Sequence, residues 1–201
     1  MKSIIILYPI QEYVDALIDS RELPEIKEKY ISIYQNLIHQ RYPDFQLIYV
    51  MFSENENPEN PNMSQLWQGI SIEEKDIIGA CGISLSQHCQ EQIYPNPEKI
   101  IDLCPCPIDE LVIVGFHLWD CVEKIAEYAY KQGIKVMVDE DLTEVFFGKV
   151  INNRGIPSSS CIPLLREESI EKDRREFMES SPCLLELTRN SRKEKPWLAK
   201  I

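Results

Sequence analysis

The sequence has no long hydrophobic run, few basic residues and only three histidines. No apolar run is long enough to span a bilayer. The apolar stretch at residues 4–7 is followed within one turn by polar residues, which is typical of a first strand and not of a signal peptide. We therefore expect a cytoplasmic protein that has no membrane partner.

Basic side chains are scarce: the chain has 21 lysines and arginines and 33 aspartates and glutamates, so its net charge is −12. Such a surface repels phosphate backbones, which argues against a nucleic-acid partner. The locally basic segment 184–201 is expected to be a solvated tail. The seven cysteines show no disulfide-framework spacing, so we expect reduced thiols.

What is present is an alternation of strand and helix patterns over 201 residues, a length that suits a single domain, 1–201. This order predicts an α/β fold with three layers, α/β/α, and a mainly parallel sheet. Capping-box spacing at 71–74 adds a short helix to the expectation. The predicted strands are 3–7, 45–52, 110–115 and 134–138, and the predicted helices are 24–40, a turn after Asn96, 122–132 and 167–180.

Ligands of parallel α/β sheets bind beyond the carboxyl ends of the strands. Three predicted strands end close to residues that suit such a site. Pro9 follows the first strand, Phe52 ends the second, and a group of three follows the 110–115 strand: His117, Trp119 and Cys121. We predict that these five line a pocket, with Pro9, Phe52 and Trp119 contacting the substrate.

Cys121 is the candidate nucleophile, because a thiol at a strand-to-helix turn lies near the positive end of a helix dipole and is expected to be exposed. His117, four residues earlier, is the candidate base, and Asp15 is a second one. A purely structural role remains the alternative for each of these residues. Cys121 could be a small buried apolar residue, His117 could bond to the backbone, Trp119 could pack on a helix, and Asp15 could lie on a solvated helix face.

Cys104 and Cys106 flank a proline, but no second cysteine or histidine pair lies at zinc-ligand spacing. The sequence therefore predicts neither a metal site nor a cofactor.

The segment 110–142 carries a longer pattern. An apolar strand leads to a glycine and then to a cysteine followed by valine, the next helix repeats small residues, and the following strand ends in acids: Gly115, Cys121, Val122, Ala126, Ala129, Gly133, Val136, Val138, Glu140 and Asp141. This resembles the isochorismatase-like cysteine hydrolases, which include nicotinamidases. The resemblance implies an isochorismatase-like fold, Cys121 as nucleophile and a non-proline cis bond near residues 116–117.

The supporting residues of that family are missing. Pro9 stands where the family has its general base, an aspartate, and 79–96 holds no lysine to lower the thiol pKa. The segment 53–64, where many relatives have metal-binding histidines, has none, and Leu118-Trp119 replaces a Thr-Asp pair.

The sequence therefore favours a divergent isochorismatase-like protein that acts as a non-catalytic binding or assembly subunit. The alternative is a cysteine hydrolase that acts on a small amide or acyl compound through Cys121. The partners left open are a small-molecule ligand and further copies of the chain, as a homo-oligomer.

Overall fold

The protein forms a five-stranded sheet in which every neighbouring pair is parallel. The computed structural model describes residues 1–20, 27–116, 118–144 and Leu187. The strand order is β3-β2-β1-β4-β5. The strands are β1 (Lys2–Leu7), β2 (Gln46–Met51), β3 (Ile77–Ala80), β4 (Glu110–Phe116) and β5 (Val136–Glu144).

Helices connect these strands and complete the layers. Because crossovers between parallel strands are right-handed, the β1–β2 and β3–β4 connections, which run in opposite directions across the sheet, lie on opposite faces. Accordingly the first two helices pack on each other, and the last two pack on each other. The helices are α1 (Gln11–Ser20), α2 (Lys27–Arg41), α3 (Leu85–Glu91), α4 (Pro97–Ile101) and α5 (Glu123–Lys131), with a π-helical turn, Leu118–Val122, leading into α5.

The sheet is the centre of the core. Every residue of β4 is buried, as is every residue of β1 after Lys2. Strands covered on both faces by helices need continuous apolar sequences instead of alternating ones, which is why Ile4–Leu7 and Leu111–Val114 contain no charge. Among the described residues, no helix has both the length and the apolar character needed to cross a membrane.

The strands predicted at 3–7, 45–52, 110–115 and 134–138 are confirmed, and so is their parallel arrangement. The helices predicted at 24–40, after Asn96 and at 122–132 match α2, α4 and α5 over their described residues. The helices α1 and α3 and the strand β3 were not among the predicted elements. The helix predicted at 167–180 and almost all of the basic segment lie outside the described residues.

The helix predicted at 71–74 is wrong. The backbone of Ser71 is held by the side chain of Gln35, which accepts from the Ser71 amide at 3.1 Å and donates to its carbonyl at 2.8 Å. The amide of Glu73 then donates to the Asp76 carboxylate at 2.9 Å in a turn. Docking on α2 and the turn before β3 therefore satisfy the backbone groups that a capping box would have used.

A buried ionic cluster fastens β5 to α2. Arg41 donates to both carboxylate oxygens of Asp139 at 3.0 Å and to Asp141 at 3.1 Å. The hydroxyl of Tyr42 donates to Asp139 at 2.7 Å. The cluster lies where the pairing of β5 with β4 shifts register, between Ile113 and Gly115. Side chains of α2 thus hold the strand where the regular ladder is interrupted.

Candidate functional site

The candidate site lies at the carboxyl ends of β1 and β4, the neighbouring strands at which the order of the sheet reverses direction. In doubly wound sheets this switch point is the usual position of a ligand. β1 continues into Tyr8 and Pro9, and β4 continues through the π-helical turn to Cys121. The two strands approach unusually closely here, because Gly115 has φ +110° and an added Cβ would lie 2.3 Å from the carbonyl oxygen of Leu7.

Cys121 is 1% exposed, so the expectation of an exposed thiol is wrong, and the alternative stated for it, a small buried residue, agrees with the structure. The π-helical turn places the cysteine inside a helical turn instead of ahead of the helix. The pKa of Cys121 is raised to about 12, first by burial and then by the neighbouring Asp120 carboxylate. The Tyr8 hydroxyl and the Lys124 ammonium oppose this shift but do not cancel it. At neutral pH Cys121 is therefore a neutral thiol.

The imidazole that faces this thiol is His88, a residue that sequence analysis did not single out. Its Nε2 lies 3.8 Å from the Sγ of Cys121. Its Nδ1 lies 2.9 Å from the carbonyl oxygen of Ile93. Because a carbonyl can only accept, Nδ1 carries the proton of the neutral ring, and the lone pair of Nε2 points toward the thiol.

Helix α3 positions His88. It begins with a complete capping box, in which Ser84 accepts from the amide of Gln87 while the Gln87 side chain accepts from the amide of Ser84. The sequence Ser84-x-x-Gln87 was the available signal for this helix. A prediction of α3 alone would not have revealed the contact between His88 and Cys121. The two residues lie 33 positions apart, and the order of the strands brings them together.

Aromatic rings pack against one another and against His88 at this edge of the sheet. The rings of Tyr8 and Phe52 stack with centroids 4.1 Å apart. Tyr13 contacts Phe52 edge-on at 6.3 Å and Phe116 at 5.3 Å. His88 lies 5.4 Å from Phe52 and 5.9 Å from Tyr8. We call these five residues the carboxyl-edge cluster; each is buried.

Tyr8 has an uncommon backbone conformation for a bulky residue, with φ +53°. Two backbone hydrogen bonds hold it there: its amide donates to Val50 at 2.8 Å, and its carbonyl accepts from Ile10 at 2.7 Å. The Tyr8 hydroxyl is buried and makes no hydrogen bond of normal geometry with the described residues. A constrained tyrosine whose polar end faces the cysteine therefore stands directly after β1.

An aspartate and a lysine do lie beside Cys121, but both come from its own part of the chain. Lys124 Nζ is 2.6 Å from Asp120 Oδ1 and 3.9 Å from the ring centroid of Tyr94. Oxygen, nitrogen and sulfur atoms of Asp120, His88 and Cys121 lie within 4.8 Å of one another. The aspartate and the lysine neutralise each other, which limits what either can do to the thiol.

Phe52 lies in the carboxyl-edge cluster. Pro9, which follows Tyr8 in the sequence, is also buried. The carbonyl of Pro9 accepts from the Trp67 amide at 3.0 Å. His117 lies outside the described residues, as does the peptide bond predicted to be cis at 116–117. Trp119 belongs to the π-helical turn, and its side chain is not described. The catalytic and substrate-binding roles assigned to these residues remain predictions.

The segment 53–64 does not fit the metal site of many isochorismatase-like proteins. It has no histidine, and its polar groups bond within the segment, to the backbone of Gly82 and Ile83, or to an exposed lysine. Ser53 donates to the Pro58 carbonyl at 2.7 Å, and Glu59 pairs with Lys99 at 2.8 Å. That ion pair also occupies Lys99, one of the two lysines flanking 79–96, while the other, Lys75, pairs with Glu73 at 2.8 Å.

Comparison with solved structures agrees with this architecture. An isochorismatase family protein from Desulfovibrio vulgaris matches with a TM-score of 0.50 at 10% identity, over 92% of this chain and 91% of that one. The chain has the isochorismatase-like fold. No family model and no curated protein sequence matches it.

Two further structures are similar to the chain. One is an isochorismatase from Pseudomonas putida, at 15% identity, TM-score 0.46 and coverage of 90% of this chain and 84% of that one. The other is an isochorismatase-like hydrolase from Alkaliphilus metalliredigens, at 15% identity, TM-score 0.46 and coverage of 89% and 91%. Likeness at these identities concerns the isochorismatase-like fold alone.

Proposed function

We propose that this chain is a divergent isochorismatase-like protein that does not hydrolyse substrates and serves as a binding or assembly subunit. The observation that carries the proposal is the state of Cys121, a buried, neutral thiol beside His88 and Tyr8. Acyl transfer by a cysteine needs a thiolate, a proton acceptor and room for the substrate beside the sulfur.

Each of these requirements meets an obstacle. The thiol pKa of about 12 leaves almost no thiolate at neutral pH. Pro9 replaces the expected aspartate and cannot accept a proton. The carboxyl-edge cluster places packed aromatic rings at the edge of the sheet where a substrate of this fold would be expected. Losing the groups that support a nucleophile typically lowers the rate by several orders of magnitude.

The alternative is a cysteine hydrolase acting on a small amide or acyl compound, and one contact favours it. The unprotonated Nε2 of His88 faces the Cys121 sulfur at 3.8 Å, so His88 is the candidate base in place of an aspartate. Transfer of the thiol proton would create a thiolate and an imidazolium. Both would be buried among rings, where charge separation is costly, which is why we rank this function second.

An assay of wild-type protein, Cys121→Ala and His88→Gln with nicotinamide and isochorismate separates the two functions. We expect no appreciable turnover by any of the three. Turnover by wild type that disappears in Cys121→Ala would overturn the non-catalytic proposal. Loss in His88→Gln as well would identify the base, whereas retained activity in His88→Gln would assign that role to another residue.

The proposal further includes a single domain over 1–201, a cytoplasmic location, a small-molecule ligand and self-association. The free cysteines of the described residues support a reducing compartment. Light scattering after size-exclusion chromatography tests self-association: a mass of one chain, 23.5 kDa, would contradict a homo-oligomer.

A further inference from the structure

Three side chains with different donor atoms converge at the carboxyl-edge cluster, to which one of them, His88, belongs. The Cys121 thiol and the Asp120 carboxylate come from the π-helical turn, and the His88 imidazole comes from α3. Their ligand atoms all lie within 4.8 Å of one another, and the Sγ–Nε2 distance is 3.8 Å. Zinc bonds of about 2.3 Å to sulfur and about 2.0 Å to nitrogen place tetrahedral ligands roughly 3.5 Å apart. The Sγ–Nε2 pair therefore has to close by a few tenths of an ångström, and the most widely separated pair by at most about 1.3 Å, which rotation of the partly exposed Asp120 side chain can supply.

We infer that Cys121, His88 and Asp120 form a binding site for a zinc-like divalent cation. The spacing of Cys104 and Cys106 predicted no metal site, and His88 and Cys121 lie 33 positions apart in the sequence, so no motif joins them. The inference goes beyond the proposed function, since such a site can hold an ion whether or not the protein hydrolyses a substrate.

The orientation of His88 supports this inference. Metal-binding histidines usually donate their other ring N–H to a carbonyl or carboxylate, which fixes the tautomer and aims the ligating nitrogen. His88 has this arrangement, with Nδ1 2.9 Å from the Ile93 carbonyl oxygen and Nε2 directed at the thiol. The cation would take the place of the thiol proton between Sγ and Nε2.

The charges also fit. A thiolate and a carboxylate together neutralise a divalent cation, so the loaded site would carry no net charge in a largely buried position. Lys124, which now pairs with Asp120, is 46% exposed and can move toward solvent. The net charge of −12 favours the approach of cations.

Donor chemistry selects the kind of ion. A sulfur and a nitrogen ligand favour zinc and similar transition metals over magnesium and calcium, which prefer oxygen. Three protein ligands leave the fourth position of a tetrahedron for water or a small ligand. The buried Tyr8 hydroxyl, which makes no hydrogen bond of normal geometry with the described residues and acts on the pKa of Cys121, is available to a molecule bound there.

Titration of the chelator-treated full chain with Co²⁺ tests the site. We expect one Co²⁺ per chain, a thiolate-to-cobalt charge-transfer band in the near ultraviolet, and displacement by Zn²⁺. Because the thiol must lose its proton, the apparent affinity should fall as the pH is lowered. Cys121→Ala should abolish the band, and His88→Gln and Asp120→Asn should each weaken binding at least about tenfold, as changes around metal sites typically do.

Cys106→Ser, which alters an exposed thiol, is the matched control and should bind Co²⁺ like wild type. Circular dichroism and thermal melting without metal establish that each variant folds. If Cys121→Ala does not fold, His88→Gln and Asp120→Asn decide the question. Absence of a charge-transfer band in wild type, or a band that survives all three substitutions, would overturn the inference. Turnover of nicotinamide would instead overturn the non-catalytic proposal and leave the metal site standing.

Discussion

At the scale of single residues, the properties of Cys121 come from its neighbours in space. Its sequence context, a strand followed by a helix, correctly places it at the carboxyl edge of the sheet. The same context suggested an exposed, activated thiol, whereas the thiol is buried against Tyr8 and His88. No local pattern could reveal this, because the residues that enclose Cys121 lie 33 or more positions away.

Alkylation by iodoacetamide tests the buried, neutral thiol. We expect exposed Cys106 to react readily at pH 8 while Cys121 stays unmodified in the folded protein. A pKa of about 12 instead of the ordinary value reduces the thiolate fraction about a thousandfold, and burial slows access further. Peptide mass spectrometry measures both rates in one sample. Equal rates for the two cysteines would mean that Cys121 is reactive.

At the scale of elements, the strands that sequence analysis predicted are those with long apolar runs. β3 was missed because it has only four residues and contains Gly79. α1 was missed because the sequence after β1 gave no clear start signal. The close approach of β1 and β4 was equally hidden, since the need for glycine at 115 arises from the register Leu7 with Gly115.

Gly115→Ala should therefore destabilise the protein by about 2–5 kcal/mol, because an L-residue is strained at φ +110° and its Cβ would collide with the backbone of Leu7. Gly69→Ala is the matched control. Gly69 also has a positive φ, +80°, but no atom lies within 4 Å of its added Cβ, so a loss near 1 kcal/mol is expected. Urea unfolding measures both. Equal losses would contradict the close approach.

The ionic cluster of Arg41, Tyr42, Asp139 and Asp141, which joins α2 to β5, is expected to contribute strongly to stability. Asp139→Asn should lower the free energy of unfolding by about 3 kcal/mol, because it leaves the buried Arg41 charge without full compensation. Lys131→Met, which breaks an exposed pair with Glu127, should cost less than about 1 kcal/mol. Thermal or urea unfolding measures the difference, and similar losses would mean that the cluster does not anchor β5.

At the scale of the whole molecule, alternating strands and helices were enough to predict a parallel α/β fold. The strand order β3-β2-β1-β4-β5 was not contained in any single segment. It follows from which strands pair, and this order brings Tyr8, His88 and Cys121 together. The fold was therefore predictable from sequence, whereas the composition of the site required the topology.

Buried thiols in different parts of the core make the stability of the whole molecule sensitive to alkaline pH. Their pKa values are raised by burial to about 11 for Cys81 and about 12 for Cys104 and Cys121. A raised folded-state pKa stabilises the protein fully below the unfolded-state value, near 9. That contribution is lost as the pH rises from there toward the folded-state value.

The free energy of unfolding, measured by urea denaturation, should therefore fall steeply from pH 9 to pH 11, by up to about 1.4 kcal/mol per thiol per pH unit. Cys121→Ala removes one of these groups and should show a shallower decline than wild type. Parallel pH profiles for the two proteins would contradict a strongly raised pKa at Cys121.

The π-helical turn ahead of α5 has an evolutionary consequence. Such a turn holds one residue more than an α-helical turn, and each helical residue rotates the chain by about 100°. Loss of a single codon from 118–120 would restore regular spacing and change the direction in which the thiol points relative to the sheet. Two orientations of the cysteine relative to the sheet would then differ by one inserted residue, a difference that comparison of residue identities alone would overlook.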